Sequence, residues 1–367
     1  MAANTKSYKI DPFTRTPGIA GAAFVNMHYA DKIINSFESD LSSKYVYKIV
    51  GLRGSGKSVE YSKIIEHFRE NANWCVYTLS AAGNPTQALI SALSKENFNH
   101  TQKNTISKSI QGNAEGKGIF IEGGLSTTIT NTSEPDDNYF SSEAALSSLI
   151  ESTNKAGKKI LIGIDDISKT PEMVRFLSII GKLLMDAKGG IYLICTGLSK
   201  NIEEFSESPS LTFFKRGDSA EIGALDKFEI ACMYQKLLNV SREEAVKLSK
   251  FTMGYAYAYQ VLGSLYFESG ARKGLDEIIT DFDRIISQDS YDLIWKSLTN
   301  AEKQFIKNIL SAEDGDVSEI KSKMKNPSGY SSLRDRLIKK HLLDVEERGK
   351  IKINLPRFKE YVELWES

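Results

Sequence analysis

Three glycines, a lysine and a serine stand between an apolar run and a helical pattern in the stretch YKIVGLRGSGKSVEYSKIIEHF, residues 47–68. The stretch fits G-x-x-x-x-G-K-S, with Gly51, Gly56, Lys57 and Ser58 at the fixed positions. Glycines let the backbone curl until its N–H groups point inward, and the positive end of the helix dipole faces the same spot. The pattern predicts a phosphate-binding loop, in which Lys57 reaches the β- and γ-phosphates of ATP and the Ser58 hydroxyl ligates Mg²⁺. The predicted nucleotide-binding residues are Gly51, Arg53, Gly54, Ser55, Gly56, Lys57 and Ser58. The alternative is a glycine-rich turn with an incidental lysine.

Oxygen-bearing side chains end two later apolar runs. The run ILIGIDDI, residues 160–167, has the composition of a buried strand and ends in Asp165 and Asp166. We expect Asp165 to hold the Mg²⁺ together with Ser58, and Asp166 to orient the attacking water. Thr196 ends the strand pattern LICTGL, where its hydroxyl would touch the γ-phosphate or that water. Acids and threonines are also common at strand ends as simple loop caps, and this alternative stays open.

Two basic residues, Lys215 and Arg216, come just before the last strand pattern of this region. An arginine placed there can reach the phosphates bound by a neighbouring subunit, so we assign Arg216 a catalytic role in a homo-oligomer with shared active sites. Lys215 is the alternative donor. Exposed basic residues are common on protein surfaces, and a plain surface role is the competing interpretation.

Alternating strand and helix patterns must position these groups. Residues 1–44 form an irregular arm and a helix from about 26 to 41. Residues 45–225 form an α/β core, whose last strand is expected at 219–225. The strands of this core are almost continuously apolar, which indicates a parallel sheet covered on both faces. Within the core, the Gly- and Thr-rich residues 98–138 predict an inserted β-hairpin, with a surface loop as the alternative. Residues 226–289 predict a bundle of helices, and residues 290–367 a third unit.

The composition of the chain limits which partners and sites it can have. The chain has 367 residues, 41% hydrophobic and 26% charged, which is typical of a globular protein of two or three domains. Its 47 basic and 47 acidic residues cancel, so no global field recruits nucleic acid or membrane, and such a partner must be bound by a local patch. Three distant cysteines, without a C-x-x-C pair, argue against a disulfide framework or zinc site. With no apolar segment of about 18 residues, we expect no membrane span and a cytoplasmic protein.

The C-terminal unit predicts a winged helix-turn-helix. A capping box formed by Thr299 and Glu302 opens its first helix, GDVSEIKSKM gives the second, and SGYSSLRDRLIKKHLL gives the third. Alternating strands around Arg348 and Gly349 form the wing.

The charges of this unit suggest a partner. Seven basic residues against one acid between Lys321 and His341 make a local cationic face suited to the major groove of duplex DNA. The predicted DNA-binding residues are Tyr330, Ser331, Arg334, Arg336, Lys339, Lys340 and Arg348. From residue 290 onward, however, fifteen basic residues face thirteen acidic ones, so a protein-docking role is the alternative.

Together these motifs resemble an AAA+ P-loop ATPase of the origin-recognition and STAND-like branch. The resemblance rests on GLRGSGKS, ILIGIDDI, IYLICTGL, the basic pair before the last strand and a helical segment containing TMGYAYAYQVLG, and it spans roughly residues 20–367. It implies a parallel sheet of order 5-1-4-3-2, ATP bound between the sheet and a helical lid, and assembly that shares active sites. Two departures make slow turnover, or a switch held by bound nucleotide, as plausible as a fast motor. Asp166 stands where the family often has Glu, and the lid sequence after Gly254 lacks both the sensor Arg of many AAA+ proteins and the Gly-x-Pro of STAND proteins.

Two functions from different classes follow. The first is an ATPase whose nucleotide-dependent assembly controls a winged-helix DNA-binding domain. The second is a STAND-type nucleotide switch in signalling or defence, whose winged helix docks a protein partner. A metabolic kinase is a weaker third class, because no acceptor-substrate pocket is evident. Three tyrosines alternate in the lid sequence, and we interpret them as packing residues rather than a base-stacking platform: Tyr255, Tyr257 and Tyr259.

Overall fold

A computed structural model describes residues 10–39, 44–101, 137–186, 190–345 and 347–364. The β-hairpin predicted at 98–138 lies almost wholly outside the described residues, and the helices on either side of the gap end at Thr101 and begin at Asp137. The N-terminal half contains the helices and strands α1 (Tyr29–Glu38), β1 (Val46–Val50), α2 (Lys57–Glu70), β2 (Trp74–Leu79), α3 (Pro85–Thr101), α4 (Asp137–Lys155), β3 (Lys159–Ile164), α5 (Pro171–Asp186), β4 (Ile191–Gly197), α6 (Ser199–Ser206), α7 (Thr212–Arg216) and β5 (Asp218–Glu221).

The five strands form one parallel sheet in the order β2-β3-β4-β1-β5, which confirms the predicted order 5-1-4-3-2. All residues of β4 are buried, and so are all but the first of β3, because helices cover both faces of the sheet. The register sets Thr196 of β4 opposite Ile49 of β1, and Cys195 of β4 opposite Ile164 of β3. The carboxyl ends of β1, β3 and β4 are therefore level with one another.

Two elements differ from their predicted bounds. The helix expected from residue 26 begins only at Tyr29, because His28 has a left-handed φ of 60° and donates its backbone N–H to the side chain of Asn26. The strand expected at 219–225 ends at Glu221. Beyond it the chain turns toward the helical region, where Leu225 donates its N–H to the carbonyl of Gly254. Periodicity alone predicts neither the local turn at His28 nor the tertiary contact of Leu225.

The second half of the chain is mostly helical. Its elements are α8 (Lys227–Leu238), α9 (Arg242–Phe251), α10 (Ala256–Glu268), α11 (Leu275–Ile286), a π-helical turn (Ser287–Tyr291), α12 (Asp292–Lys296), α13 (Asn300–Ser311), α14 (Val317–Lys323), α15 (Tyr330–Lys339), β6 (Leu343–Asp344), β7 (Lys352–Ile353) and α16 (Phe358–Leu364). We call α8–α11 the lid. The three helices α13–α15 and the antiparallel pair β6 and β7 form a winged helix-turn-helix, and α16 is an addition that the sequence patterns did not predict.

A single apolar core joins the lid to the C-terminal unit. It runs from lid residues such as Tyr259 and Phe282 through Tyr291 of the π-helical turn to Phe305 and Phe358. The sheet has its own cores, one on each face. Lid and winged helix therefore pack as one body, and the boundary at 289–290 stays a sequence-based prediction.

Within the described ranges, the helices are all too short or too polar to cross a bilayer.

A buried carboxylate fastens the first helix of the winged domain. Glu302 has 1% of its surface exposed and accepts hydrogen bonds from the backbone N–H of Thr299 at 2.8 Å and from Lys340 Nζ at 2.8 Å. Replacing Glu302 by Ala leaves Lys340 and the helix N-terminus without this partner. We expect Glu302→Ala to lower the free energy of unfolding by about 3 kcal/mol in urea denaturation.

The matched control is Glu363→Ala, since Glu363 is 63% exposed and 3.9 Å from Lys359, and its loss should cost under about 0.5 kcal/mol. Burial acts to raise the pKa of Glu302, but hydrogen bonds from Lys340 and Thr299 outweigh it and hold the pKa below the usual value. A lowered pKa stabilises the fold above the unfolded-state value, and this contribution disappears as the pH falls through the folded-state pKa. The difference between the unmodified protein and Glu302→Ala should therefore shrink in acid, and equal losses in both variants at neutral pH would contradict this role.

Candidate active site

The loop between β1 and α2 curls as its glycines require. Gly54 and Gly56 have left-handed φ values of 73° and 98°, and Gly56 is the residue that precedes the first turn of α2. The N–H of Ser55 donates to the carbonyl of Leu52 at 3.2 Å, which closes the curl. The loop thus ends at a helix N-terminus, where free N–H groups and the helix dipole favour an anion.

Lys57 lies inside this curl. Its side chain is 8% exposed, and its Nζ donates to the carbonyl of Leu52 at 2.8 Å. Burial lowers the pKa of Lys57 to about 8, although the nearby carboxylates of Asp166 and Asp165 act in the opposite direction. A buried ammonium group with one carbonyl partner is poorly compensated for its lost hydration. An anion in the loop would supply that compensation.

Two strand ends and the start of α2 bring oxygen atoms together beside the loop. Asp165 Oδ1 accepts hydrogen bonds from Ser58 Oγ at 3.1 Å and from Thr196 Oγ1 at 2.5 Å. Thr196 Oγ1 in turn accepts the backbone N–H of Asp166 at 2.8 Å. The contacts join the start of α2 to the ends of β3 and β4. Hydroxyl and carboxylate oxygens are the ligands that Mg²⁺ prefers, so this donor set fits the ion.

A large cavity opens in front of these residues. Its volume is about 1230 Å³, and its walls include Lys57, Ser58, Asp165, Asp166 and Thr196. Small-molecule sites typically measure about 300–1,000 Å³. The cavity therefore has room for a nucleoside triphosphate.

Further walls come from the lid, as the resemblance implied, and from the N-terminal arm, which the sequence analysis did not assign to the site. The N-terminal arm contributes residues from Asp11 to Met27, and the lid contributes Tyr257, Tyr259 and Gln260. The arm is fastened to the lid, because Phe13 packs against Tyr234 and Tyr259 and Thr14 donates its N–H to Gln260 Oε1 at 2.9 Å. The sequence predicted only that residues 1–44 include an irregular arm, without a role in the site.

The lid also contacts the loop itself. Tyr255 donates its hydroxyl to the carbonyl of Arg53 at 2.7 Å, and Tyr257 donates its backbone N–H to the carbonyl of Gly54 at 3.0 Å. Tyr257 in addition donates its hydroxyl to Asp289 Oδ2 at 2.5 Å. The interpretation of these tyrosines as packing residues therefore missed their hydrogen bonds to the loop.

Arg216 lies away from this cavity. It is the exposed last residue of α7, at the amino end of β5, whereas the loop follows the carboxyl end of the parallel strand β1. Lys215 is exposed beside it. Neither side chain lines the cavity of its own chain. A role of Arg216 in catalysis thus requires a second subunit and stays a prediction.

The predicted DNA-binding residues divide into two groups. In the first, the side chains have partners within the protein. Tyr330 is buried against Phe305, and Lys340 binds Glu302. Arg334 binds the neighbouring Asp335, and Lys339 binds Glu203 of α6 at 2.8 Å, which joins the winged domain to the core. The second group, Ser331, Arg336 and Arg348, is exposed, and Arg336 Nε donates to the carbonyl of Ser332 in its own helix at 3.4 Å.

The fold matches that of known structures. The chain has the fold of the origin-recognition AAA+ ATPases, with a helical lid and a C-terminal winged helix. It is similar to the ORC2 protein of Aeropyrum pernix, solved as ADPNP and ADP complexes, with 13% identity over 98% of this chain and 96% of that one and a TM-score of 0.56.

Two further structures are similar at lower TM-scores. Cdc6p of Pyrobaculum aerophilum is 12% identical over 93% of this chain and 95% of that one, with a TM-score of 0.42. The ORC1 protein of Aeropyrum pernix, in complex with DNA, is 12% identical over 92% and 90%, with a TM-score of 0.43. The family described as "Domain of unknown function (DUF8462)" matches residues 288–362. No curated protein matches the chain.

Gly54 allows the lid to approach the loop. A Cβ atom at this position would collide with the hydroxyl of Tyr255 and lie 2.9 Å from Cβ of Tyr257. We expect Gly54→Ala to lower the free energy of unfolding by about 2–4 kcal/mol, through a strained left-handed φ and the collision. Gly83 is a matched control, since it has a φ of 87° and open space around it, and Gly83→Ala should cost only about 1 kcal/mol. Equal losses in urea denaturation would show that the lid does not press on the loop.

Proposed function

We propose that the chain binds ATP with Mg²⁺ and hydrolyses it slowly. The observation that carries the proposal is the convergence of Ser58, Asp165 and Thr196 beside the buried Lys57. In this proposal, the loop from Gly51 to Ser58 holds the phosphates. Ser58 and Asp165 hold the Mg²⁺, which offsets the charge that develops on the phosphates.

Asp166 is the residue we assign to the attacking water. It is exposed and lines the cavity, and its backbone has a left-handed φ of 51°, which non-glycine residues adopt rarely. Its N–H is held by Thr196, so the carboxylate starts from a fixed backbone. An Asp side chain is one methylene shorter than Glu, which is the reason to expect slow turnover.

Nucleotide binding and hydrolysis can be separated by substitution. Lys57→Ala should weaken ATP binding about 10- to 100-fold, because it removes a charge-assisted hydrogen bond. Asp165→Asn and Asp166→Asn should retain binding and lower the hydrolysis rate about 100-fold or more. Isothermal titration calorimetry and phosphate release measure the two effects, with the exposed lid residue Lys236→Ala as control. Unchanged hydrolysis in all three site variants would refute the assignment.

We further propose that ATP closes the lid and assembles subunits, with Arg216 of one subunit completing the site of the next. The exposed position of Arg216 outside its own cavity supports this arrangement. In this proposal the functional units are those of the sequence: 1–44, 45–225, 226–289 and 290–367. Light scattering with and without a non-hydrolysable ATP analogue measures the assembly step.

The winged helix is the part that we propose to meet duplex DNA under control of the nucleotide. The exposed Arg336 and Arg348 support this, because both present cationic groups on the predicted recognition helix and wing. A different observation favours the STAND-type alternative. Lys339 and Lys340 are already paired with Glu203 and Glu302, as expected of a domain that docks protein surfaces, its own core included.

Duplex binding decides between these two functions. With ATP and Mg²⁺ at low salt, the protein should bind a mixed-sequence DNA duplex, and the double variant Arg336→Ala with Arg348→Ala should bind more weakly and with a salt slope reduced by about 2. The exposed lid residue Lys247→Ala serves as control, since it removes one charge elsewhere. Fluorescence anisotropy over a salt series provides both numbers. Absence of duplex binding at low salt, together with nucleotide-dependent assembly, would favour the protein-docking switch.

A further inference from the structure

Two neighbouring carbonyl groups of the phosphate loop are bound by the start of α10. The carbonyl of Arg53 accepts the hydroxyl of Tyr255 at 2.7 Å, and the carbonyl of Gly54 accepts the N–H of Tyr257 at 3.0 Å. The loop carbonyls thus face the lid. The second bond uses only the backbone, whereas the first depends on a side chain that no motif predicted.

The first bond fixes the orientation of one peptide group. A trans peptide is planar, so the carbonyl of Arg53 and the N–H of Gly54 point to opposite sides of it. Every described peptide bond is trans. When Tyr255 draws the carbonyl toward the lid, the N–H of Gly54 turns away from the lid. Arg53 and Gly54 both line the cavity, and this N–H donates to no other described residue.

Ser290 holds the Tyr255 hydroxyl in place. The two hydroxyl oxygens are 2.6 Å apart, and both residues are buried. Burial raises the pKa of Tyr255, so the phenol stays neutral and keeps its proton. The geometry then requires Tyr255 to donate to Arg53 and accept from Ser290. A hydroxyl with both partners assigned has one orientation.

Ser290 belongs to the turn that leads into the winged domain. This turn, Ser287–Tyr291, is π-helical, a rare form that is frequent at functional sites. The next residue, Tyr291, packs its ring against Phe358 and Tyr361 of α16 and donates its hydroxyl to the carbonyl of Pro356. A continuous chain of contacts therefore runs from the phosphate loop to the winged domain.

We propose that Tyr255 is a positioning residue for phosphate binding: with Ser290 it turns the N–H of Gly54 toward the phosphates and ties that orientation to the position of the winged domain. The inference rests on the proposed nucleotide function and adds the residues that link its two halves. Because Tyr255 and the π-helical turn share one core, a change in the angle between this body and the sheet moves Tyr255 and Ser290 together away from the loop and releases the peptide. Phosphate affinity then falls without any change in the residues that contact the nucleotide.

The test is Tyr255→Phe, which keeps the ring and removes the hydroxyl. A non-hydrolysable ATP analogue should bind about five- to thirty-fold more weakly, the effect of losing one buried hydrogen bond. Adenosine, which has no phosphates, should compete for the site with unchanged affinity. A merely structural role would lower the two affinities together. The control is Tyr266→Phe, on the same helix, whose hydroxyl donates to Glu244 within the lid.

Ser290→Ala extends the test to the winged domain. It should weaken the ATP analogue in the same selective way, and the double variant Tyr255→Phe with Ser290→Ala should lose less than the sum of the two single losses, because both act through one hydrogen bond. If the unmodified protein and Tyr266→Phe bind the analogue but Tyr255→Phe binds it equally well, the inference is wrong and the nucleotide function stands. Failure of the unmodified protein to bind the analogue would overturn both.

Discussion

The site depends on one carboxylate that accepts hydrogen bonds from a helix start and from a neighbouring strand end. Asp165 follows β3, and it binds the hydroxyls of Ser58, in the first turn of α2 after the β1 loop, and Thr196, in β4. This is possible only because β4 lies between β3 and β1 and the register makes the three strand ends level. A slip of one residue in either pairing would turn Thr196 to the opposite face of the sheet. The buried apolar strands that fix the register therefore also fix the site.

The position of the loop at the carboxyl ends of the strands also explains why the pKa of Lys57 is lowered. The loop must bring an ammonium group close to where an anion binds, and this costs hydration that one carbonyl contact does not replace. The pKa of Lys57 is lowered because burial removes the hydration that stabilises its charged form. Asp165 and Asp166 limit this lowering, since both carboxylates favour the charged form. Positive and negative groups are thus held in one polar cluster rather than paired directly, which leaves each available to a phosphate or a metal ion.

The sequence predicted what is local and missed what is tertiary. The glycine loop, the acids after β3 and Thr196 each follow from a short run of residues, and the structure brings them together. The strand order came from the resemblance, because no local pattern specifies which strands are neighbours. Tyr255 meets Arg53 across 202 positions of sequence, and Phe13 packs on a lid helix more than 200 residues away, so neither contact leaves a periodic signal. α16 was missed for a similar reason, since its apolar side chains are buried by Tyr291 of a distant turn.

The shared core of lid and winged domain has a mechanical consequence. An interior packed as densely as protein cores moves as a unit rather than deforming continuously. Because Tyr291, Phe305 and Phe358 lie in the same core as the lid tyrosines, a change in the angle between lid and sheet must carry the winged domain with it. The arm opposes such a change, since Phe13 is fixed to the lid while α1 packs in the core on one sheet face with α2. The exposed pair between Lys339 and Glu203 crosses from the winged domain to the core and contributes little energy of its own, so it can break and re-form as that angle changes.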